Sequence, residues 1–301
     1  MIRRLLLAVL LVLPPVAAGD AAVVPNHETV SSMNEHDEQA LSPEKQLISD
    51  AMALARSLRG EDHATLLGRL TSPEFLAELD NEEAYRGRPQ RLRLRRILDE
   101  LARNPTDSAH GVLVALTSNH AFLAEESRID LLITACAAVK PPPPPVIRFW
   151  DRYWQPEDGF ANLTVAAVVK NGDAAALDLL ENRMADPGFD MEEKLHWLRG
   201  PVLRHRLDLP LLLACERMLM GGLPGELPYR LVEALFDYRP GEWYLPSVPY
   251  NPPLLETAGE ASLRQVERIG RLALERVTLE PELEARVKAT LERVEQLLAG
   301  K

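Results

Sequence analysis

The stretch ANLTVAAVVKNGDAAALDLLENRM, residues 161–184, decides the fold of this chain. Its first half is rich in small and β-branched residues, and an Asn-Gly-Asp turn follows at 171–173. In the second half Leu177, Leu180 and Met184 share one helical face, and the opposite face is polar. A strand over 163–169 is the alternative, but its alanines and its neighbours favour a helix. The stretch therefore predicts two helices joined by a tight turn.

Similar helix pairs recur along the chain with a loose period. The predicted pairs begin at residues 128, 160, 192 and 227, which are 32, 32 and 35 residues apart. A single pair cannot bury its own apolar face, so each pair must stack on its neighbours. The pattern predicts an all-α fold, an α-solenoid. The amphipathic segment 281–298, with its apolar stripe from Leu283 to Leu298, would close the stack as a terminal cap.

The segment 161–184 resembles the HEAT-repeat family, in particular the short bacterial HEAT-like repeats. The resemblance lies in the small-residue first helix, the Asn-Gly-Asp turn and the leucine-bearing second helix. It covers residues 107–240 and departs from the family pattern at Pro141–Pro145 and at the insertion 239–259. It implies a right-handed α-solenoid of stacked helix pairs that acts as an interaction scaffold. The helical-repeat domain is expected over 42–301, with capping helices at 261–299.

The N-terminus has the pattern of a secretory signal peptide. In MIRRLLLAVLLVLPPVAAG, two arginines precede nine apolar residues, two prolines and a small-residue cleavage site. A membrane anchor is the alternative, but the apolar run is shorter than the 20 or so residues that a span needs. We expect a signal peptide at 1–18 and a flexible leader at 19–41. The protein is then exported, and periplasmic if the host is a Gram-negative bacterium, without stable membrane insertion after cleavage.

Composition and charge restrict the partners. The chain of 301 residues has 34 Lys and Arg against 45 Asp and Glu, a formal charge of −11. Such an acidic chain is not expected to bind nucleic acid or an anionic membrane in general. Cys136 and Cys215 each lie in an apolar helical run, which predicts two buried free thiols. A disulfide is the alternative, and it would require the two helices to be neighbours.

The sequence contains no phosphate-binding loop, dinucleotide fingerprint, zinc-protease motif, C-x-x-C or nucleophile elbow. The seven histidines do not have the spacing of a helical metal pair. No catalytic residue, metal site or cofactor is predicted. Carboxylate pairs such as Glu125 and Glu126 leave a glycan-cleaving enzyme as an alternative, which would require two carboxylates in one pocket.

Aromatic residues are the best candidates for a binding surface. Trp150 and Trp154 are four residues apart on one predicted helix, and the proline-rich segment 239–253 carries three more large aromatics. Aromatic faces bury area at low entropic cost, so they suit peptides and glycans. The alternative is that they pack inside the repeats. The predicted contact residues are Arg148, Trp150, Arg152, Tyr153, Trp154, Trp243, Tyr244 and Tyr250.

The segment 86–96 holds six arginines in eleven residues. It predicts either a site for phosphate or an acidic partner, or a solvated helix face paired with nearby acids such as Asp99 and Glu100. Taken together, the sequence predicts an exported HEAT-like scaffold that binds a protein, a peptide or a cell-envelope polymer, such as a glycan, without catalysis. The alternatives are the glycan-cleaving enzyme on a helical superhelix and a purely structural spacer.

Overall fold

The computed structural model describes residues 63–80, 89–104, 106–155, 159–237 and 254–300, together with Lys45, Gln46, Ser49 and Ala53. These residues belong to a unit that spans Leu41–Lys301. Within the described residues there are thirteen α-helices and no strand. The prediction of an all-α fold is confirmed. The signal peptide and the leader lie outside the described residues.

Six helices form the N-terminal part of the described chain. They are α1 (His63–Leu70), α2 (Pro73–Leu79), α3 (Pro89–Arg103), α4 (Asp107–Leu116), α5 (Glu126–Cys136) and α6 (Pro144–Arg152). Seven more follow: α7 (Ala161–Asn171), α8 (Ala174–Ala185), α9 (Met191–Trp197), α10 (Leu209–Gly221), α11 (Leu227–Phe236), α12 (Glu260–Arg276) and α13 (Pro281–Ala299). Short 3₁₀ turns lie at Phe122–Ala124 and Leu255–Thr257, and a π-helical turn at Leu198–Val202 continues α9.

The helix pair predicted over 161–184 forms as α7 and α8, and the alternative strand at 163–169 is wrong. Gly172 ends α7 in the left-handed conformation, with φ of 69°, which glycine adopts without steric cost. The side chain of Asp173 then caps α8 by accepting a hydrogen bond of 3.1 Å from the amide of Ala175. Gly172 and Asp173 therefore each have a specific role in forming the turn.

Asn171, the last residue of α7, fastens this pair to the preceding one. Its side chain is fully buried. Its amide donates hydrogen bonds of 3.1 and 2.9 Å to the carbonyl oxygens of Ala137 and Val139, which follow the end of α5. The last carbonyls of a helix have no partner within the helix, so one side chain satisfies two polar groups of the neighbouring pair.

Packing follows the order of the chain. In one row α3 packs on α5, α5 on α7, α7 on the π-helical turn after α9, that turn on α11, and α11 on α13. In the other row α6 packs on α8, α8 on α10 and α10 on α12. The buried side chains of all these helices form a continuous cluster. Most helices therefore contact the next helix but one along the chain, as well as their immediate neighbours.

Arginine–carboxylate pairs join successive helices of the second row. Arg183 of α8 pairs with Asp151 of α6, and Arg217 of α10 pairs with Glu181 of α8. At the next step Glu216 of α10, only 8% exposed, accepts a 2.6 Å hydrogen bond from Gln265 and a 2.8 Å one from Arg268, both of α12. Guanidinium groups make strong hydrogen bonds to carboxylates, so these pairs fix how each helix sits on the previous one.

Helix ends were partly predictable. Ser72 caps α2, and Asp190 with Glu193 forms a capping box at the start of α9. Ser262 and Gln265 have the spacing of a capping box, but α12 begins at Glu260 and Ser262 is buried inside its first turn. The chain is helical from 191 to 204, with a π-helical turn at Leu198–Val202 in place of regular α-helix. Pro201 has no amide hydrogen to donate, and the chain forms a π-helical turn around it.

The C-terminal helix α13 has the predicted apolar stripe, with Leu283, Val287 and Val294 buried. It packs on α12 and α11. Among the residues with described structure, no helix is long and apolar enough to span a membrane.

Candidate functional site

The aromatic residues of α6 lie inside the protein. Trp150 and Trp154 have 0% exposure and Tyr153 has 9%. The indole nitrogen of Trp150 donates a hydrogen bond of 3.4 Å to the carbonyl oxygen of Ile133. A stacking surface requires an exposed ring face, so the prediction that these three residues contact a ligand is wrong. The alternative, that these aromatic residues pack inside the repeats, agrees with their burial.

These rings join α6 to elements that follow it. Trp154 meets Trp197 of α9 edge to face with ring centroids 5.2 Å apart, and Phe189 meets Trp197 at 5.0 Å. Tyr153 meets Phe160, next to α7, at 5.6 Å. Edge-to-face pairs add stability beyond the area that they bury. The aromatic cluster is therefore part of what holds consecutive helix pairs together.

The other predicted contact residues are exposed or lie outside the described residues. Arg148 and Arg152 are exposed on α6, and the guanidinium of Arg152 lies 5.3 Å from the centroid of the Tyr153 ring. Trp243, Tyr244 and Tyr250 belong to the stretch 238–253, which is outside the described residues, so they stay predictions.

A cavity of about 410 Å³ lies where the turn before α10 meets α10, α11, α12 and α13. Its walls are mostly apolar side chains from these elements and from the start of the 3₁₀ turn before α12, namely Leu207, Leu212, Leu235, Phe236, Leu254, Leu255, Val266 and Ile269. Leu254 is 60% exposed, the largest exposed fraction among the large apolar side chains that the structure describes. Ligand pockets of proteins are usually apolar clefts of 300–1,000 Å³, so this cavity is the best candidate functional site.

Two polar side chains complete the cavity wall. Arg206 is half-buried, and its Nη1 donates a hydrogen bond of 3.3 Å to the carbonyl oxygen of Leu235. Thr290 of α13 is the other. Arg206 is the one charged side chain among the described lining residues.

The sequence did not reveal this cavity. Its lining residues come from separate elements, and each of them has the helical or turn context of an ordinary core residue. The signal that was present is Leu254 with Leu255, two leucines that directly follow the proline-rich stretch.

Three arginines of the segment 86–96 form ion pairs, and Arg86 and Arg88 lie outside the described residues. Arg95 pairs with Asp99, as the solvated-face alternative predicted, at 4.0 Å. Arg91 and Arg93 instead reach Asp130 of α5 and Glu78 of α2. Arg91 and Arg93 therefore join α3 to its neighbours, while Arg95 pairs within α3.

A buried charged group lies beside this segment. Arg128 of α5 is 3% exposed, and its Nη2 pairs with Asp80 at 3.1 Å. Its guanidinium packs over the ring of Phe122, 6.0 Å from the centroid. Its Nε and Nη1 have no hydrogen-bond partner among the residues that the structure describes. The adjoining cavity of about 10 Å³ has room for about one water molecule.

The thiols of Cys136 and Cys215 are buried and unbonded, as predicted. Burial raises the pKa of both thiols, that of Cys215 to about 12. Among the described residues there is no group of three His, Cys, Asp or Glu side chains that could hold a metal ion.

The chain was compared with protein-family models, curated proteins and solved structures, and none of them matches it.

Proposed function

We propose that this protein is an exported α-solenoid of the HEAT-like kind, which binds a protein, a peptide or a cell-envelope polymer without catalysis. The observation that supports it is the order of the helix contacts, in which helices pack on the next helix but one in two rows. Repeat proteins have this contact pattern because each repeat touches only its neighbours. In such proteins the exposed side chains along the rows of helices can bind a partner.

The contacts between pairs support the same proposal. Asn171 joins α7 to the end of α5, and Arg217 joins α10 to α8. Both contacts bridge residues that are between 32 and 36 positions apart, close to the period seen in the sequence. Equivalent contacts one period apart are what a stack of repeats requires.

The binding surface is proposed to lie at the C-terminal end of the repeats. Phe236 and the exposed Leu254 both line the cavity, and in the sequence they flank the segment that carries Trp243, Tyr244 and Tyr250. A large exposed apolar side chain next to an apolar cavity is typical of an interaction site.

Site-specific photo-crosslinking in the native host tests this function. A photoreactive phenylalanine analogue at position 254 should give one discrete crosslinked product, and the same analogue at the exposed position Asn182 should give none. Replacing Trp243 and Tyr244 together by Ala should reduce that product while the Tm stays within about 2 °C of the wild type, since surface changes usually cost under 0.5 kcal/mol. Equal crosslinking at both positions would contradict the proposal. A large fall in Tm would show instead that the two aromatics are packing residues.

A further inference from the structure

We infer that the outer face of α6 docks an acidic helix of a partner protein, whose carboxylates pair with Arg152 and Arg148. This surface is separate from the one proposed at the C-terminal end of the repeats. The inference goes beyond the proposed scaffold function and does not depend on it.

The ion pairs that join the helices of the second row all run in one direction. At each step an arginine of the later helix reaches back to an acid of the helix before it. The three steps are Arg183 to Asp151, Arg217 to Glu181 and Arg268 to Glu216. Each interior helix of the row, α8 or α10, therefore gives an arginine to its predecessor and an acid to its successor.

Arg152 is the arginine that α6 contributes to this series. It lies 31 residues before Arg183, which lies 34 residues before Arg217, and both intervals are close to the period of the helix pairs. In α6, α8 and α10 alike the arginine follows the acid by one or two positions. Because α6 is the first helix of this row among the described residues, Arg152 has no earlier helix of the row to pair with.

Arg148 and Arg152 are exposed and lack a counter-charge on α6. They lie four residues apart on one helix face, where like charges weaken a helix. The one acid of α6, Asp151, is paired with Arg183 of α8. The Arg152 guanidinium lies 5.3 Å from the centroid of the Tyr153 ring, and neither arginine has a carboxylate partner among the residues that the structure describes. The two guanidinium groups are therefore available to an outside acid.

The rest of the row indicates the chemistry of the partner. Carboxylates are the partners of the arginines at all three interior steps, and a guanidinium forms two parallel hydrogen bonds with a carboxylate. Acids four residues apart on a helix have the same separation as Arg148 and Arg152 on α6. An extended anionic surface such as a membrane would be repelled by the net charge of −11. A short acidic helix meets α6 alone, as an earlier helix of the row would.

Fluorescence anisotropy with the full-length protein tests the inference. The probe is a rhodamine-labelled, alanine-based peptide of about 20 residues, long enough to be helical in water, with glutamate at every fourth position. It should bind at one saturable site. The same peptide with glutamine in place of glutamate should bind at least tenfold more weakly. Absence of saturable binding, or equal binding of the two peptides, would overturn the inference.

A pair of double variants locates the site. Arg148→Gln with Arg152→Gln should weaken binding of the glutamate peptide at least tenfold. Arg96→Gln with Arg276→Gln changes the net charge equally at two other exposed arginines and should bind as the wild type does. Both double variants should keep a Tm within about 2 °C of the wild type, because the changed side chains are exposed. Equal weakening in both would show a response to overall charge and refute the inference.

Two further probes separate an acidic helix from other occupants. The glutamate peptide with two central alanines replaced by proline, which breaks the helix, should bind at least fivefold more weakly. Equal binding of that peptide would contradict a helical partner. Vesicles of phosphatidylglycerol should not bind the protein. Vesicle binding that is lost in Arg148→Gln with Arg152→Gln would assign this face to a membrane and overturn the inference.

A last variant distinguishes a partner from the chain itself. Glu157 and Asp158 follow α6 in the sequence and lie outside the described residues. Glu157→Gln with Asp158→Asn should bind the glutamate peptide as the wild type does. Binding that appears only in this variant would show that the chain's own carboxylates occupy the two arginines, and the inference would be wrong. None of these results alters the crosslinking expected at position 254, so the two proposals can fail separately.

Discussion

Replacing Asn171 by Ala tests the contact between consecutive helix pairs. The side chain is fully buried, and its amide supplies the hydrogen bonds of 3.1 and 2.9 Å to the carbonyl oxygens of Ala137 and Val139. A buried polar group left without a partner costs about 1–3 kcal/mol. Two carbonyl groups lose their partner in the variant, and water that enters the space left by the shorter side chain offsets part of this cost. We therefore expect a total loss of about 3 kcal/mol in the free energy of unfolding. For a protein of this size that corresponds to a fall in Tm of roughly 6–12 °C.

The assay is urea unfolding followed by far-ultraviolet circular dichroism, with a thermal scan as a second measurement. Asn182→Ala is the matched control, because Asn182 is exposed on the polar face of α8. The control should stay within about 0.5 kcal/mol of the wild type. If the loss for Asn171→Ala is no greater than the loss for the control, the two carbonyl groups do not depend on this side chain and the reasoning is refuted.

Three further outcomes are expected. Trp150→Phe should cost about 1 kcal/mol more in unfolding free energy than Trp154→Phe, because the indole nitrogen of Trp150 donates a hydrogen bond and that of Trp154 has no partner among the described residues; equal losses in urea unfolding would argue against that bond. Cys136 and Cys215 should react with a thiol reagent only after denaturation, since burial suppresses their thiolate forms; rapid reaction of the native protein would contradict their burial. For Asp186, a hydrogen bond from the Gly188 amide, with a smaller contribution from Arg183, lowers the pKa below the usual 3.8. A lowered carboxyl pKa stabilises the folded state above 3.8 and ceases to do so as the pH falls through the lowered value. Asp186→Asn should therefore lower the urea midpoint at neutral pH and have less effect in strong acid; a constant difference would contradict the pKa shift.

The helices were predictable because the signals that define them are local. The apolar face of Leu177, Leu180 and Met184, the glycine at 172 and the cap at Asp173 all act within one or two turns of chain. Periodicity and caps of this kind reveal where helices begin and end without any knowledge of their neighbours.

The burial of the aromatic face of α6 was not predictable from the same local signals. A spacing of four shows that Trp150 and Trp154 share a helix face, but it does not show what covers that face. The cover includes Trp197, which lies 43 residues after Trp154 in the sequence. Exposure depends on such distant packing, so the prediction of a stacking surface was wrong although the helix was correct.

The cavity and the joining contacts were missed for a related reason. Glu216 occupies what looks like an ordinary position of an apolar helix, and its partners Gln265 and Arg268 come about 50 residues later. Buried polar groups require partners, but the sequence does not say which residues provide them. The space beside Leu212 and Ile269 likewise exists only once separate helices are in place.

Hydrogen exchange by mass spectrometry, on the wild type and on Asn171→Ala, tests the central claim most directly. The claim is that each helix pair depends on its neighbours rather than on one shared core. It predicts that the variant loses amide protection over α5 to α8 while α12 and α13 exchange as in the wild type. An equal loss of protection across all helices from α1 to α13 would contradict it.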